Sequence, residues 1–144
     1  MAGRLCMAAL GAVLVSAGPA LAHHAFSAEF DAKTPIKIEG AITKVELINP
    51  HAWIHVAVKK ADGKTEEWMV EGGTPNTLQR RGITRESIKV GTVIKVEGYR
   101  SKDGSFRANG RDITFADGRT LFMGSSGTGA PQDGHDPAER KPQQ

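Results

Sequence analysis

The sequence predicts an all-β domain, a small Greek-key β-barrel resembling an OB-fold with one short helix. Apolar and polar residues alternate through much of residues 36–123, as they do in half-buried strands. Three Asp-Gly turns, at Asp62-Gly63, Asp103-Gly104 and Asp117-Gly118, separate the alternating runs. Asp-Gly favours tight hairpins because glycine readily adopts positive φ. A single helix signal interrupts the series, and together these features favour a barrel of short strands.

The runs predict six strands, at Ile36–Leu47, Ala52–Lys59, Thr65–Glu71, Thr92–Arg100, Phe106–Thr114 and Arg119–Met123. In the first strand the apolar phase changes between Ile42 and Val45, so we expect a bulge that bends it. Thr74 is a candidate N-cap before Pro75, and Gly82 a candidate C-terminal stop. Three strands, a helix and two strands is the OB-fold order, with the sixth strand as an added hairpin arm. An open sheet or sandwich of the same strands is the alternative.

The register of the first hairpin follows from its apolar residues. A three-residue loop with a glycine bulge places Ile54, Val56, Val58, Trp68 and Val70 on one face. The opposite face then carries Trp53, His55, Lys59, Glu67, Met69 and Glu71. A two-residue loop would divide the apolar set between the faces, so we prefer the bulged loop. The chosen register is expected to bring His55 opposite Glu71.

The same rule applied to the second Asp-Gly turn predicts three cross-strand pairs: Glu97 with Arg111, Tyr99 with Asn109 and Gly98 with Gly110. The first pair joins opposite charges, which stabilises a sheet modestly, by about 0.2–1 kcal/mol.

Composition divides the chain into four segments. Residues 1–22 are typical of a secretory signal peptide, with Arg4, the apolar run Leu5–Val15 and the cleavage signal Ala20-Leu21-Ala22. Residues 23–35 form an arm without periodicity, residues 36–123 the OB-like domain, and residues 124–144 a polar tail expected to be disordered. The apolar run is shorter than the roughly 20 residues of a membrane helix, so we expect no membrane span after cleavage. The signal peptide leads us to expect a periplasmic protein.

Charge and cysteine content exclude several classes of function. The only cysteine, Cys6, lies in the signal, so we expect no disulfide, thiolate metal site or cysteine nucleophile in the mature chain. The net charge of +3 is too small and dispersed to indicate nucleic-acid binding. Nucleophile elbow, phosphate-loop and zinc-protease motifs are absent from the sequence. We therefore expect a non-enzymatic protein.

Cleavage after Ala22 would leave a mature chain beginning His23-His24. A free α-amino group and the imidazole of the same residue form a bidentate ligand suited to copper(II), and also to zinc. His24, His51 and His55 are the candidates for further nitrogen ligands. His51 and His55 would lie about 13 Å apart in a regular strand, too far to bind one ion together. His51 follows Asn49-Pro50, a turn signal, and is the more adaptable of the two. The affinity for the metal should decrease as the pH drops below the imidazole pKa of about 6.5, because a protonated imidazole cannot bind the ion.

Two other functions remain open. Trp53, with His55, Met69 and Glu71 on one sheet face, could bind a cell-envelope glycan or peptide by stacking. Alternatively, the arm covers Trp53, with Phe26 and Phe30 packed over the sheet. A structural adaptor with an unidentified protein partner is the third hypothesis.

Several ordered runs resemble a family of exported bacterial proteins known as domain-of-unknown-function 6152. They are His23-His24-Ala25-Phe26, Glu29-Phe30-Asp31, Asn49-Pro50-His51-Ala52-Trp53, residues 76–82 (NTLQRRG), Gly98-Tyr99 and Lys102-Asp103-Gly104. The resemblance extends to about Ser125. It implies a periplasmic setting and a functional role for the double histidine that usually follows the signal, but no established activity or ligand.

Overall fold

The computed structural model describes residues 26–124 and 130–131. The predicted signal peptide, His23, His24 and most of the predicted tail, including His135, lie outside the described residues. The six strands are β1 (Phe30–Leu47), β2 (Ala52–Lys59), β3 (Thr65–Glu71), β4 (Val93–Ser101), β5 (Arg107–Phe115) and β6 (Thr120–Phe122). One helix, α1 (Pro75–Arg80), lies between β3 and β4, and residues 26–29 form a helical turn before β1.

The first five strands close into a ring. The sheet order is β3-β2-β1-β4-β5-β6, and an additional pairing joins β3 to β5. That closing pair is parallel and sets Met69 beside Arg107 and Glu71 beside Asn109. The predicted all-β class is confirmed, and the closing pair rules out an open sheet.

Strand β1 is long enough to pair with both of its neighbours in the ring, β4 and β2. Its first part pairs with β4 as far as Ala41, and its last part, from Ala41 to Leu47, pairs with β2. The predicted bulge is present between Ile42 and Lys44. An irregularity of this kind bends a strand, which allows one strand to pair with two neighbours in turn.

The interior of the ring holds the main apolar core. Ile54, Val56 and Val70 are fully buried in it, and Leu78 of α1 belongs to the same cluster. Thr74 caps α1, since its Oγ1 accepts a hydrogen bond from the Thr77 amide at 3.3 Å. Because β2 and β3 send these apolar residues inward, their alternate residues lie on the outer face.

The predicted bounds of β2 and β3 are confirmed, and those of β4, β5 and β6 are within one residue at each end. The predicted start of β1 at Ile36 is wrong, because the strand begins at Phe30 and includes the last residues of the predicted arm. The sequence did not reveal this first part of the strand because its register shifts between Phe30 and Pro35. The intervening residues have no alternating pattern, and Asp31 accepts hydrogen bonds there from the amide of Lys33 and the hydroxyl of Thr34.

Two predicted cross-strand pairs are confirmed and one is wrong. Tyr99 lies opposite Asn109 and Gly98 opposite Gly110, but Glu97 lies opposite Asp112. A register shift between Glu97 and Gly98 accounts for the difference. The Arg111 guanidinium still approaches Glu97, with Nη2 3.5 Å from Oε2.

Candidate functional site

Five residues of five neighbouring strands form one row across the outer face of the ring. In order, they are Tyr99 (β4), Asn109 (β5), Glu71 (β3), Trp53 (β2) and Glu46 (β1). We call them the outer row. Adjacent strands lie about 4.8 Å apart, so Tyr99 and Glu71 are separated by roughly 10 Å. Tyr99, Asn109 and Glu71 are buried although they face away from the core.

The first imidazole–carboxylate pair lies at Glu71. His51, in the loop before β2, places Nδ1 against Glu71 Oε1. Burial raises the pKa of the Glu71 carboxyl above its usual value, while His51 and a hydrogen bond from Asn109 oppose that rise. The negative charge of Glu29 adds to it. The His51 side chain is 30% exposed and that of Glu71 11%, so the imidazole lies on the solvent side of the pair.

A second such pair lies on the other side of Trp53. His55 Nε2 lies 2.8 Å from Glu46 Oε2, and Lys44 Nζ lies 2.7 Å from the other oxygen of that carboxylate. The hydrogen bond from Lys44 is the main cause that lowers the pKa of Glu46, followed by that of His55. The predicted His55–Glu71 pairing is therefore wrong: His55 lies opposite Met69, and Glu71 lies opposite Trp53.

The part of the arm that the structure describes packs beside Tyr99, at one end of the outer row. The rings of Phe26 and Tyr99 meet edge to face with centroids 5.5 Å apart, and Phe26 and Phe30 lie 5.8 Å apart. All three side chains are buried and form a cluster separate from the main core. The Lys102 amide donates a hydrogen bond to the Glu29 carbonyl at 2.9 Å. Ala130, from beyond β6, packs against the same cluster.

Arg107 connects the arm to Trp53. Its Nη2 lies 2.8 Å from Glu29 Oε2, and its guanidinium carbon lies 5.4 Å from the centroid of the Trp53 ring. Such a guanidinium is attracted to the negative face of an indole. Phe26 and Phe30 pack on Tyr99 instead of Trp53, so the idea that they cover Trp53 is wrong. Arg107 occupies one face of that ring.

The structure thus brings together His51, Trp53 and Glu71 and keeps His55 and Met69 one row further along β2 and β3. Sequence reasoning missed Glu29, Glu46, Arg107, Asn109 and Tyr99 as members of this region. Arg107 could have been found only by knowing that β5 pairs with β3. Among residues 26–124 and 130–131, no group of three or more His, Cys, Asp or Glu side chains is arranged to hold a metal ion.

These features define a class, a β-rich domain with a closed strand ring and two imidazole–carboxylate pairs on its outer face. The chain belongs to the family of unknown function DUF6152, whose model matches residues 11–110. No curated protein matches the sequence. Within the part of the chain that the structure describes, none of the helices has the length and apolar character to cross a membrane.

Proposed function

We propose that this protein is an exported, non-enzymatic metal-binding module that holds copper(II), and less readily zinc, at its mature N-terminus. The first ligands are the α-amino nitrogen and imidazole of His23, after removal of residues 1–22. His51 supplies the third nitrogen, and His24 is the other candidate partner. The observation that supports this most is the docking of the arm on Tyr99, in the same outer row as Glu71.

The reach of the arm supports the proposal. An extended chain spans at most about 3.6 Å per residue, so His23 lies within about 11 Å of Phe26. Phe26 packs on Tyr99, which lies two strands, roughly 10 Å, from Glu71 in the outer row. The arm residue Glu29 is close enough for its charge to raise the pKa of Glu71. The reach of residues 23–25 is therefore similar to the separation of Tyr99 and Glu71, which supports a site shared with His51.

The ligand chemistry favours copper(II). Amine and imidazole nitrogens suit copper(II) and zinc, and copper(II) is bound more tightly by a given nitrogen site. A tetragonal copper(II) ion accepts two adjacent ligands from His23 and one from a neighbouring imidazole. His55 is a weaker candidate, since its Nε2 is held by Glu46 and its side chain is only 14% exposed. The protein would sequester or deliver the ion.

A glycan or peptide site on Trp53 and Met69 is the less supported function. Trp53 and Met69 are both half-buried, and the Arg107 guanidinium lies over one face of the indole. A stacked ligand would have to use the opposite face or displace Arg107 from Glu29. The adaptor role has no comparable support from a described contact.

A titration of copper(II) against a competing chelator tests the proposal. The protein is purified from the exported fraction, and mass spectrometry first determines whether it begins at His23. Its affinity for copper(II) is then compared with that of a variant carrying three extra alanines before His23. This extension removes the amine–imidazole chelate, leaves no histidine among the first three residues and leaves every described contact unchanged. We expect the extension to weaken binding by at least a hundredfold. Equal binding by both, or binding by neither, refutes the proposal.

A further inference from the structure

Glu71 is a buried carboxylate on the outer face of the ring. It is 8% exposed and lies between Asn109 on β5 and Trp53 on β2. Burial of a charged group is costly unless hydrogen bonds compensate for lost water. Two partners do so here, namely His51 Nδ1 and the side chain of Asn109. Glu71 therefore has a defined position from which it can orient the imidazole.

We infer that Glu71 is a positioning residue that holds His51 in the tautomer protonated on Nδ1, so that Nε2 is the metal ligand. The inference rests on the proposed function and identifies which atom of His51 takes part. Nδ1–H donates to Glu71 Oε1, and the Nε2 lone pair is then free. In proteins, a histidine that binds a metal through one ring nitrogen commonly donates its other ring N–H to a carboxylate, which fixes the orientation of the ring.

The exposure of the two side chains supports this order of groups. The His51 side chain is 30% exposed and that of Glu71 11%, so the imidazole is the group of the pair that is more open to an ion from solvent. The Glu71 carboxylate accepts from both His51 and Asn109, which fixes its position beside the imidazole. Glu71 thus acts through His51.

The second pair provides a matched control within the same sheet face. His55 is bonded through Nε2 to Glu46, the reverse of the nitrogen that His51 uses. Glu46 carries a second partner, Lys44, and is not part of the proposed site. The variant Glu46→Gln therefore removes one carboxylate from an imidazole without touching His51.

The first test is the tautomer of His51 in metal-free protein, read from ¹⁵N shifts and two-bond ¹H–¹⁵N couplings of labelled histidine at about pH 8. We expect the Nδ1–H form for His51 in the unsubstituted protein and a mixture in Glu71→Ala. Glu71→Gln retains an oxygen acceptor and should preserve most of the Nδ1–H form. If Glu71→Ala does not fold, the Glu71→Gln and unsubstituted spectra still decide. A dominant Nε2–H form in the unsubstituted protein overturns the inference.

The second test is copper(II) affinity of the same variants. Loss of a carboxylate that orients a ligand typically costs 10–100-fold in metal affinity. We expect that loss for Glu71→Ala, a smaller one for Glu71→Gln, and none for Glu46→Gln. If His51→Gln weakens binding and Glu71→Ala does not, the positioning role is wrong and the proposed function stands. If the unsubstituted protein binds no copper(II), the proposed function fails whatever the tautomer.

Discussion

Tyr99 and Glu71 lie in one row of the sheet with only Asn109 between them. This relationship joins two features that are far apart in the sequence. The aromatic cluster that anchors the arm contains Tyr99, and the imidazole of His51 is bonded to Glu71. The ring closure between β3 and β5 creates the row, so the site depends on the fold as a whole.

Removing the Arg107 side chain should weaken metal binding without unfolding the domain. Arg107→Gln loses an exposed ion pair with Glu29 and a cation–π contact with Trp53, together about 1 kcal/mol of arm docking. Copper(II) affinity should fall about fivefold, and the difference should shrink in 1 M salt as the ion pair is screened. Competitive titration measures it. Arg107→Lys retains the charge and should show a smaller loss. Equal affinity in all three proteins would show that the Arg107 contacts with Glu29 and Trp53 do not support the metal site.

The aromatic cluster should control how firmly the arm is held. Phe26→Ala removes a buried ring from Phe30 and Tyr99, and truncations of this kind cost about 3–5 kcal/mol in a well-packed core. The Lys102 amide, which bonds to the Glu29 carbonyl, should then exchange with solvent much faster. Hydrogen exchange monitored by NMR checks this. Amides of the main core, such as that of Val70, should keep their protection, and unchanged exchange at Lys102 would refute the arm docking.

The turn at Asp103 should contribute stability that is lost in strong acid. Hydrogen bonds, that of Ser101 first among them, lower the pKa of Asp103 from 3.8 to about 2. A carboxyl whose pKa is lower in the folded protein stabilises it above pH 4, and the contribution disappears as the pH falls through 2. Urea unfolding of the unsubstituted protein and Asp103→Asn between pH 2 and pH 7 measures it. The variant should be less stable at pH 7 and nearly equal at pH 2; a constant difference would contradict this.

Gly98 should tolerate no side chain. A Cβ at this position would overlap the carbonyl oxygen of Asn109, which belongs to the backbone and cannot rotate away. Gly98→Ala should therefore cost at least about 2–3 kcal/mol, as overpacked sites do. Gly63→Ala is the control, since its Cβ would contact nothing within 4 Å and only its φ of 83° opposes alanine. Chemical denaturation compares them. A smaller loss for Gly98→Ala than for Gly63→Ala would show that the strand pairing at Gly98 is wrong.

Local signals were sufficient to predict most of the fold. The Asp-Gly turns and alternating runs located β2 and β3 to the residue, and Thr74, Pro75 and Gly82 marked the helix. The errors occurred where the register shifts. Near Phe30 a shift hid the start of β1, and at Glu97 a shift moved Arg111 out of the expected pair. The shift that was predicted, between Ile42 and Lys44, was found because the apolar phase changes there.

The site was predictable only in part because its contacts are long-range. His51 and Glu71 were both recognised as candidates, but their pairing was not, since His51 lies outside β2 and reaches diagonally past Trp53. Arg107 was missed because only the parallel pairing of β3 with β5 brings it beside Met69. Such a pairing leaves no periodic signal in a single sequence.

The EPR spectrum of the protein loaded with one equivalent of copper(II) tests the central claim most directly, because it reports how many nitrogen atoms bind the ion. The protein that begins at His23 should show three nitrogens, and His51→Gln should lose one while the chelate at His23 remains. Identical spectra for these two proteins would show that the arm and His51 do not form one site.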